Sequence, residues 1–201
     1  MFPLSNVLYP HAILPLHVFE PRYREMTATC LAGDGAFGVV LIARGSEVGG
    51  GEERTGLGTI AHIEEVATFD DGRLALVIRG LRRVEVTDWL PDDPFPRALV
   101  EERESAPLKD AESFEFAYRA VRRARALLSE LGDIAALPPG LELGDDLEIA
   151  GWRLCAVAPV GALDSQRLLE IDDGAERMGL LARLMDEVAG DATLLLSTEA
   201  P

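Results

Sequence analysis

The hydrophobic period of this chain changes once, and that change limits what the chain can fold into. Up to about Ser105 the apolar residues fall at strand spacing or in short continuous apolar runs. From Asp110 they recur every three or four residues. A run of strands followed by a run of helices predicts an α+β fold. The expected organisation is a β-rich part over residues 1–105, with one helix near 21–32, and a helical part over residues 110–198. No internal repeat interrupts it.

Prolines and glycines place the elements of the first part. Phe2–Leu8 and Ala12–Phe19 are short apolar segments broken by Pro3, Pro10 and Pro15, which predicts edge or barrel-rim strands. Pro21 suits the first turn of a helix that runs through Met26, Cys30 and Leu31 and stops at Gly33-Asp34-Gly35. The run AFGVVLIAR (Ala36–Arg44) reads as a buried strand. The segment Gly45–Gly56 reads as a flexible loop by composition. Thr59–Phe69 and Arg73–Leu90 flank Asp70-Asp71-Gly72, a hairpin signal, and Gly80 marks a bulge or bend in the longer strand. WLPDDPFP (Trp89–Pro96) reads as a further loop before a last strand in RALVEERES.

In the second part, Phe114, Ala117, Val121, Ala124, Leu128 and Leu131 share one helix face, which Gly132 ends. A linker, ALPPGLELG, follows. Asp145 or Asp146 caps a helix through Leu147, Ala150, Leu154 and Val157, stopped by Pro159. Asp164 is placed as the cap of a short helix carrying Leu168 and Leu169. Asp173 and Glu176 form a capping box for a last helix with a stripe of Met178, Leu181, Met185 and Val188.

The residues offer little catalytic chemistry. A net charge of −16 repels phosphate backbones, so nucleic acid is not expected as a partner. His11, His17 and His62 lack the helical i, i+4 spacing of a zinc site, and two distant cysteines cannot make a Cys₄ site. Cys30 and Cys155 read as buried free thiols, which fits a reducing, cytoplasmic setting. The glycine run Gly49-Gly50-Gly51 leads into Glu52-Glu53 rather than a Gly-Lys pair, against a phosphate loop. Paired acids such as Asp92-Asp93 sit at turns, where capping or solvation is the ordinary role. Arg119, Arg122, Arg123 and Arg125 are expected to pair with Glu112, Glu115 and Glu130 on the same helix. No catalytic residue, metal ligand or cofactor is predicted, and no apolar run is long enough to span a bilayer.

Three blocks carry a family resemblance: FPLSNVLYPHAILPLHVFEPRYREM, FGVVLI and GTIAHIEEVATFDDGRLALVIRGLRRVEV. Together they resemble the amino-terminal substrate-binding domain of Lon proteases, and DSQRLLEIDDGAERMGLLARLM resembles that domain's terminal helices. The resemblance implies a PUA-like β pseudo-barrel followed by a C-terminal helical bundle. It also implies a polypeptide-binding role: client polypeptides, unfolded or specific, with a protease or chaperone as a further partner. The ATPase and protease domains of Lon are not expected here, because no Gly-Lys pair occurs and Lys109 is the single lysine, in a polar linker. The expectation is a non-catalytic, stand-alone domain. The rival reading is a PUA-like small-molecule or RNA-binding module, which the acidic charge disfavours. Within the resembling block, Phe19 and Tyr23 are expected to pack at the barrel-to-helix corner, with Glu20 facing the first-turn amides. Trp89 and Phe95 are the candidate polypeptide contacts, the competing reading being that both rings fold back over the barrel.

Overall fold

The structure, a computed structural model, describes residues 1–45, 51–138 and 140–199. Its contacts divide into two units, Met1–Glu104 and Ser105–Pro201. The first holds β1 (Phe2–Leu4), β2 (Ile13–Val18), α1 (Pro21–Ala32), β3 (Ala36–Arg44), β4 (Glu53–Thr68), β5 (Leu74–Leu90) and β6 (Arg97–Glu102). The second holds α2 (Ala111–Glu130), α3 (Leu147–Val157), α4 (Ala162–Glu170) and α5 (Gly174–Glu199). The fold is α+β, as the switch of period implies.

In the first unit one mixed sheet runs β1-β3-β4-β5-β2, with β6 paired to the far end of β5. Only β1–β3 is parallel. The proline-bearing strands β1 and β2 are the two ends of this path, where a missing N–H removes no central ladder bond. Phe2, Val39, Val40, Leu76 and Ile78 are all buried, Val39 and Val40 on opposite faces because they are neighbours in β3. The β4–β5 hairpin closes at Gly72, which adopts φ +80 and donates to the Phe69 carbonyl at 2.9 Å. A register shift sets Ile60 opposite Arg82 but Ala61 opposite Gly80, so Leu81 is the extra residue of a bulge. At Gly80 a side chain would overlap the Tyr9 carbonyl oxygen, so glycine is required there.

Several sequence-derived boundaries need correction. The first strand ends at Leu4 rather than Leu8. Residues 46–50 of the expected loop, and residue 139 of the expected linker, lie outside the described residues. The loop also gives way earlier than its glycines suggest, since β4 begins at Glu53 and pairs there with Arg44. Trp89 is not in a loop: a register shift between Val86 and Asp88 carries β5 on to Leu90, with Trp89 opposite Ala98.

In the second unit α2 packs along α5, and both helices bury an apolar stripe, Ala117, Val121 and Ala124 on α2 and Met178, Leu181 and Met185 on α5. Asp110, Asp146 and Asp173 accept hydrogen bonds from first-turn amides of α2, α3 and α5. Asp164 does not cap α4. Gly161 holds the cap position, and Asp164 sits inside the first turn, 2.7 Å from Arg167. The arginines of α2 also depart from expectation. Arg123 faces Asp186 at 3.9 Å, Arg122 lies 5.7 Å from the Tyr118 ring centroid, and Arg125 donates to the Ala135 and Val157 carbonyls. Among the described residues none pairs with Glu112, Glu115 or Glu130: Arg122 turns to a tyrosine one turn back, Arg123 to α5 and Arg125 to carbonyls beyond the helix.

Arg177 is wholly buried. Its guanidinium lies 3.4 Å from the Trp152 ring centroid and donates to both Glu148 oxygens at 3.0 and 3.2 Å. Glu148 also accepts from the Leu108 amide at 2.6 Å. A charge so deep is tolerable only with such a set of partners.

A cleft at the open seam of the sheet

The sheet of the first unit curls until its two ends face each other. β1 and β2 share no ladder, yet both line one cleft of about 280 Å³. Every lining residue comes from the first 23 positions of the chain. Phe2, Leu4, Leu14, Leu16, Val18 and Tyr23 supply its apolar lining, Asn6, His17 and Glu20 make the lining mixed, and Phe19, 52% exposed, stands at its mouth. The volume lies just under the usual range for ligand pockets, roughly 300–1,000 Å³. Its size suits side chains rather than a large cofactor.

The floor is stiffened by a stack. The Phe2 and Tyr23 rings lie 4.2 Å apart and nearly parallel, and the Arg22 guanidinium sits 4.5 Å from the Tyr23 centroid. Arg22 Nε donates to Glu20 at 3.2 Å. The Glu20 carboxylate therefore serves Arg22 and not the helix amides, as was expected of it. The helix start uses the Glu20 carbonyl instead, which accepts from the Tyr23 and Arg24 amides. Tyr23 is buried as expected, but Phe19 is not packed away. Burial pushes the Tyr23 hydroxyl up to about 12, with the Arg22 charge opposing and the Glu52 and Glu20 charges adding. A phenol so shifted stays protonated at neutral pH and cannot act as a base. The Tyr23 hydroxyl, Arg22 Nη2 and Glu52 Oε2 are buried with no hydrogen-bond partner among the described residues.

Trp89 and Phe95 do not line the cleft. Trp89 is half-buried on β5, its ring 4.9 Å from the Arg54 guanidinium. Arg54 is held over it by Glu52 at 2.8 Å and Asp92 at 2.6 Å. Phe95 is half-buried in the turn before β6. Sequence reasoning treated the segment that lines the cleft as architecture. The usable signal was the presence of two proline-broken edge strands within twenty residues of each other.

Neither acid-base pairs nor metal ligands converge here. Among the described residues no group of three His, Cys, Asp or Glu is placed to hold a metal ion. His62 faces Glu64 at 3.7 Å, and the same carboxylate accepts from Arg79 at 3.0 Å. No described helix is long and apolar enough to cross a membrane.

Residues 1–187 match the model of the ATP-dependent protease La (LON) substrate-binding domain. A Lon protease of Cytophaga hutchinsonii is 28% identical over 93% of this chain, which covers 24% of that protein. A LON peptidase N-terminal domain and RING finger protein of Schizosaccharomyces pombe is 24% identical over 89% of this chain and 43% of its own length. The chain thus spans about a quarter of the Lon protease and under half of the yeast relative. Among solved structures, a Lon N-terminal domain protein from Xanthomonas campestris superposes with a TM-score of 0.65 at 29% identity, covering 90% of this chain and 94% of that one. The N-terminal domain of a Mycobacterium avium complex Lon protease, 17% identical with a TM-score of 0.59, shares the fold. With nearly all of its length matched by the family model, and with an α+β fold to agree, the chain belongs to the LON substrate-binding domain family.

Proposed function

We propose that this domain binds other polypeptides through the seam cleft and catalyses no reaction itself. The observation that carries the reading is a cleft of mixed lining, with six apolar side chains and an exposed phenylalanine at its mouth, in a chain whose family model is a substrate-binding domain. The apolar part of such a lining suits the side chains that unfolded proteins expose, and Asn6, His17 and Glu20 leave polar groups beside it. Within these 201 residues Lys109 is the single lysine and no Gly-Lys pair occurs, so neither a Ser-Lys protease pair nor a phosphate loop finds support. On this reading Trp89 serves the fold, because Arg54 covers it, and half-buried Phe95 is assigned the same role.

Labelled, reduced and carboxymethylated α-lactalbumin tests it by fluorescence anisotropy. Phe19→Ser is expected to weaken binding several-fold with Tm unchanged, since the ring it removes is half-exposed. Trp89→Ala with Phe95→Ala is expected to lower Tm. A paired variant that keeps its Tm and loses binding moves the site to that rim instead. Binding absent from the wild-type chain, or ATP turnover present in it and abolished by a point change, rejects the proposal.

A further inference from the structure

We infer that the free edge of β2 receives an extended polypeptide segment, which adds a strand at the seam and sends alternate apolar side chains into the cleft. This rests on the polypeptide-binding reading above and specifies its mode. The register decides which backbone groups are available. The Gly80 amide donates to the Ala12 carbonyl at 2.9 Å, one residue before β2 begins. Residues of an antiparallel strand face the partner alternately. Leu14, Leu16 and Val18, opposite Ile78, Leu76 and Leu74, therefore present their backbone groups to β5. Ile13, Pro15 and His17 present theirs to the open side. Pro15 fits this phase, because its missing N–H falls where no ladder runs.

Open to a partner are the carbonyls of Ile13, Pro15 and His17 and the amides of Ile13 and His17. Among the described residues no hydrogen bond uses them. An extended backbone supplies donors and acceptors at that spacing, which is the basis of recognition by strand addition. Side chains of an added strand alternate between faces. Those on the cleft side meet Leu14, Leu16 and the Phe2–Tyr23 stack. Those on the other side run beside Ile13, 56% exposed, and His17. A chain of net charge −16 favours lysine or arginine at the segment's ends. The occupant is thus an extended segment, apolar at every second residue and basic at its flanks. Pro15 withholds one donor, which blunts the edge against unselective pairing.

The probe is a nine-residue synthetic peptide with leucine or valine at alternate positions and lysine at both ends. Its analogue is N-methylated on the residues whose amides would bond β2. The wild-type chain is expected to bind the first and to bind the second about tenfold or more weakly, as several main-chain bonds are lost. His17→Pro removes an open-side amide without touching the β5 ladder and is expected to weaken the unmodified peptide. His17→Ala, which keeps the amide and loses only side-chain contact, is expected to weaken it far less than His17→Pro does. If the carboxymethylated protein binds but N-methylation changes nothing, strand addition is overturned and polypeptide binding stands. If His17→Pro does not fold, the N-methylated peptide on the wild-type chain still decides. Binding of neither probe overturns both.

Discussion

Cys155 sits at the end of α3 with 1% of its surface exposed, and burial pushes its thiol up to about 12. Cys30, on α1, is half-buried, and burial raises its thiol too. Thiolates are the reactive form, so a thiol-specific reagent is expected to label Cys30 slowly in the folded chain and Cys155 only on unfolding. Mass spectrometry of the labelled peptides checks the order, and early modification at Cys155 contradicts its placement. Asp92 behaves oppositely. The hydrogen bond from Arg54 is the first cause holding its carboxyl below the usual carboxylate range, while partial burial opposes. A carboxylate with a depressed folded pKa adds stability above its unfolded pKa, ~3.9, and loses it as the pH falls through the folded one. Asp92→Asn is therefore expected to lower stability at neutral pH, with the gap to wild type closing below about pH 4. Urea midpoints across that range measure it, and a gap that widens on acidification contradicts the Arg54–Asp92 bond.

β5 is the strand on which the first unit turns, because β4, β2 and β6 all pair with it. Gly80 lets it pass the Tyr9 carbonyl while donating to Ala12 and accepting from His11. Gly80→Ala forces that contact apart and is expected to destabilise by about 1–3 kcal/mol, the ordinary cost of overpacking. A melting temperature unchanged by the substitution is the result that refutes the close approach. Gly80 was legible in the sequence as a bulge or bend, since one glycine broke an otherwise continuous strand pattern. The prolines of β1 and β2 were legible as edge markers for the same local reason. Trp89 was not legible as a strand residue: its pairing with Ala98 depends on a register shift near Val86 and on a partner beyond a proline-rich turn. The start of β4 at Glu53 was hidden likewise, because Gly56 and Gly58 look like loop while Arg44, nine positions upstream, supplies the pairing. The cleft was least legible. Its residues all fall within the first 23 positions, but only the curl of the sheet brings β1 opposite β2.

Each unit carries one tryptophan, Trp89 on β5 in the first and Trp152 on α3 in the second, so each can be followed alone. We propose that the units melt as separate cooperative blocks, since each buries its own set of apolar residues, and chains of more than one domain commonly depart from two-state unfolding. Glu148 gives the test. It neutralises Arg177, whose side chain is wholly buried, and accepts from the Leu108 amide. Removing one partner of a buried pair strands the other charge, at a cost of about 3–5 kcal/mol. Glu148→Ala is placed in a Trp89→Phe background to read the second unit and in a Trp152→Phe background to read the first. The urea midpoint reported by Trp152 is expected to fall steeply, and the midpoint reported by Trp89 to stay where it was. Arg177→Met is expected to cost less than Glu148→Ala, because it leaves no buried cation and Glu148 keeps the Leu108 amide. Midpoints that fall together at both tryptophans mean a single cooperative block, and the division at Glu104 then describes contacts without describing stability.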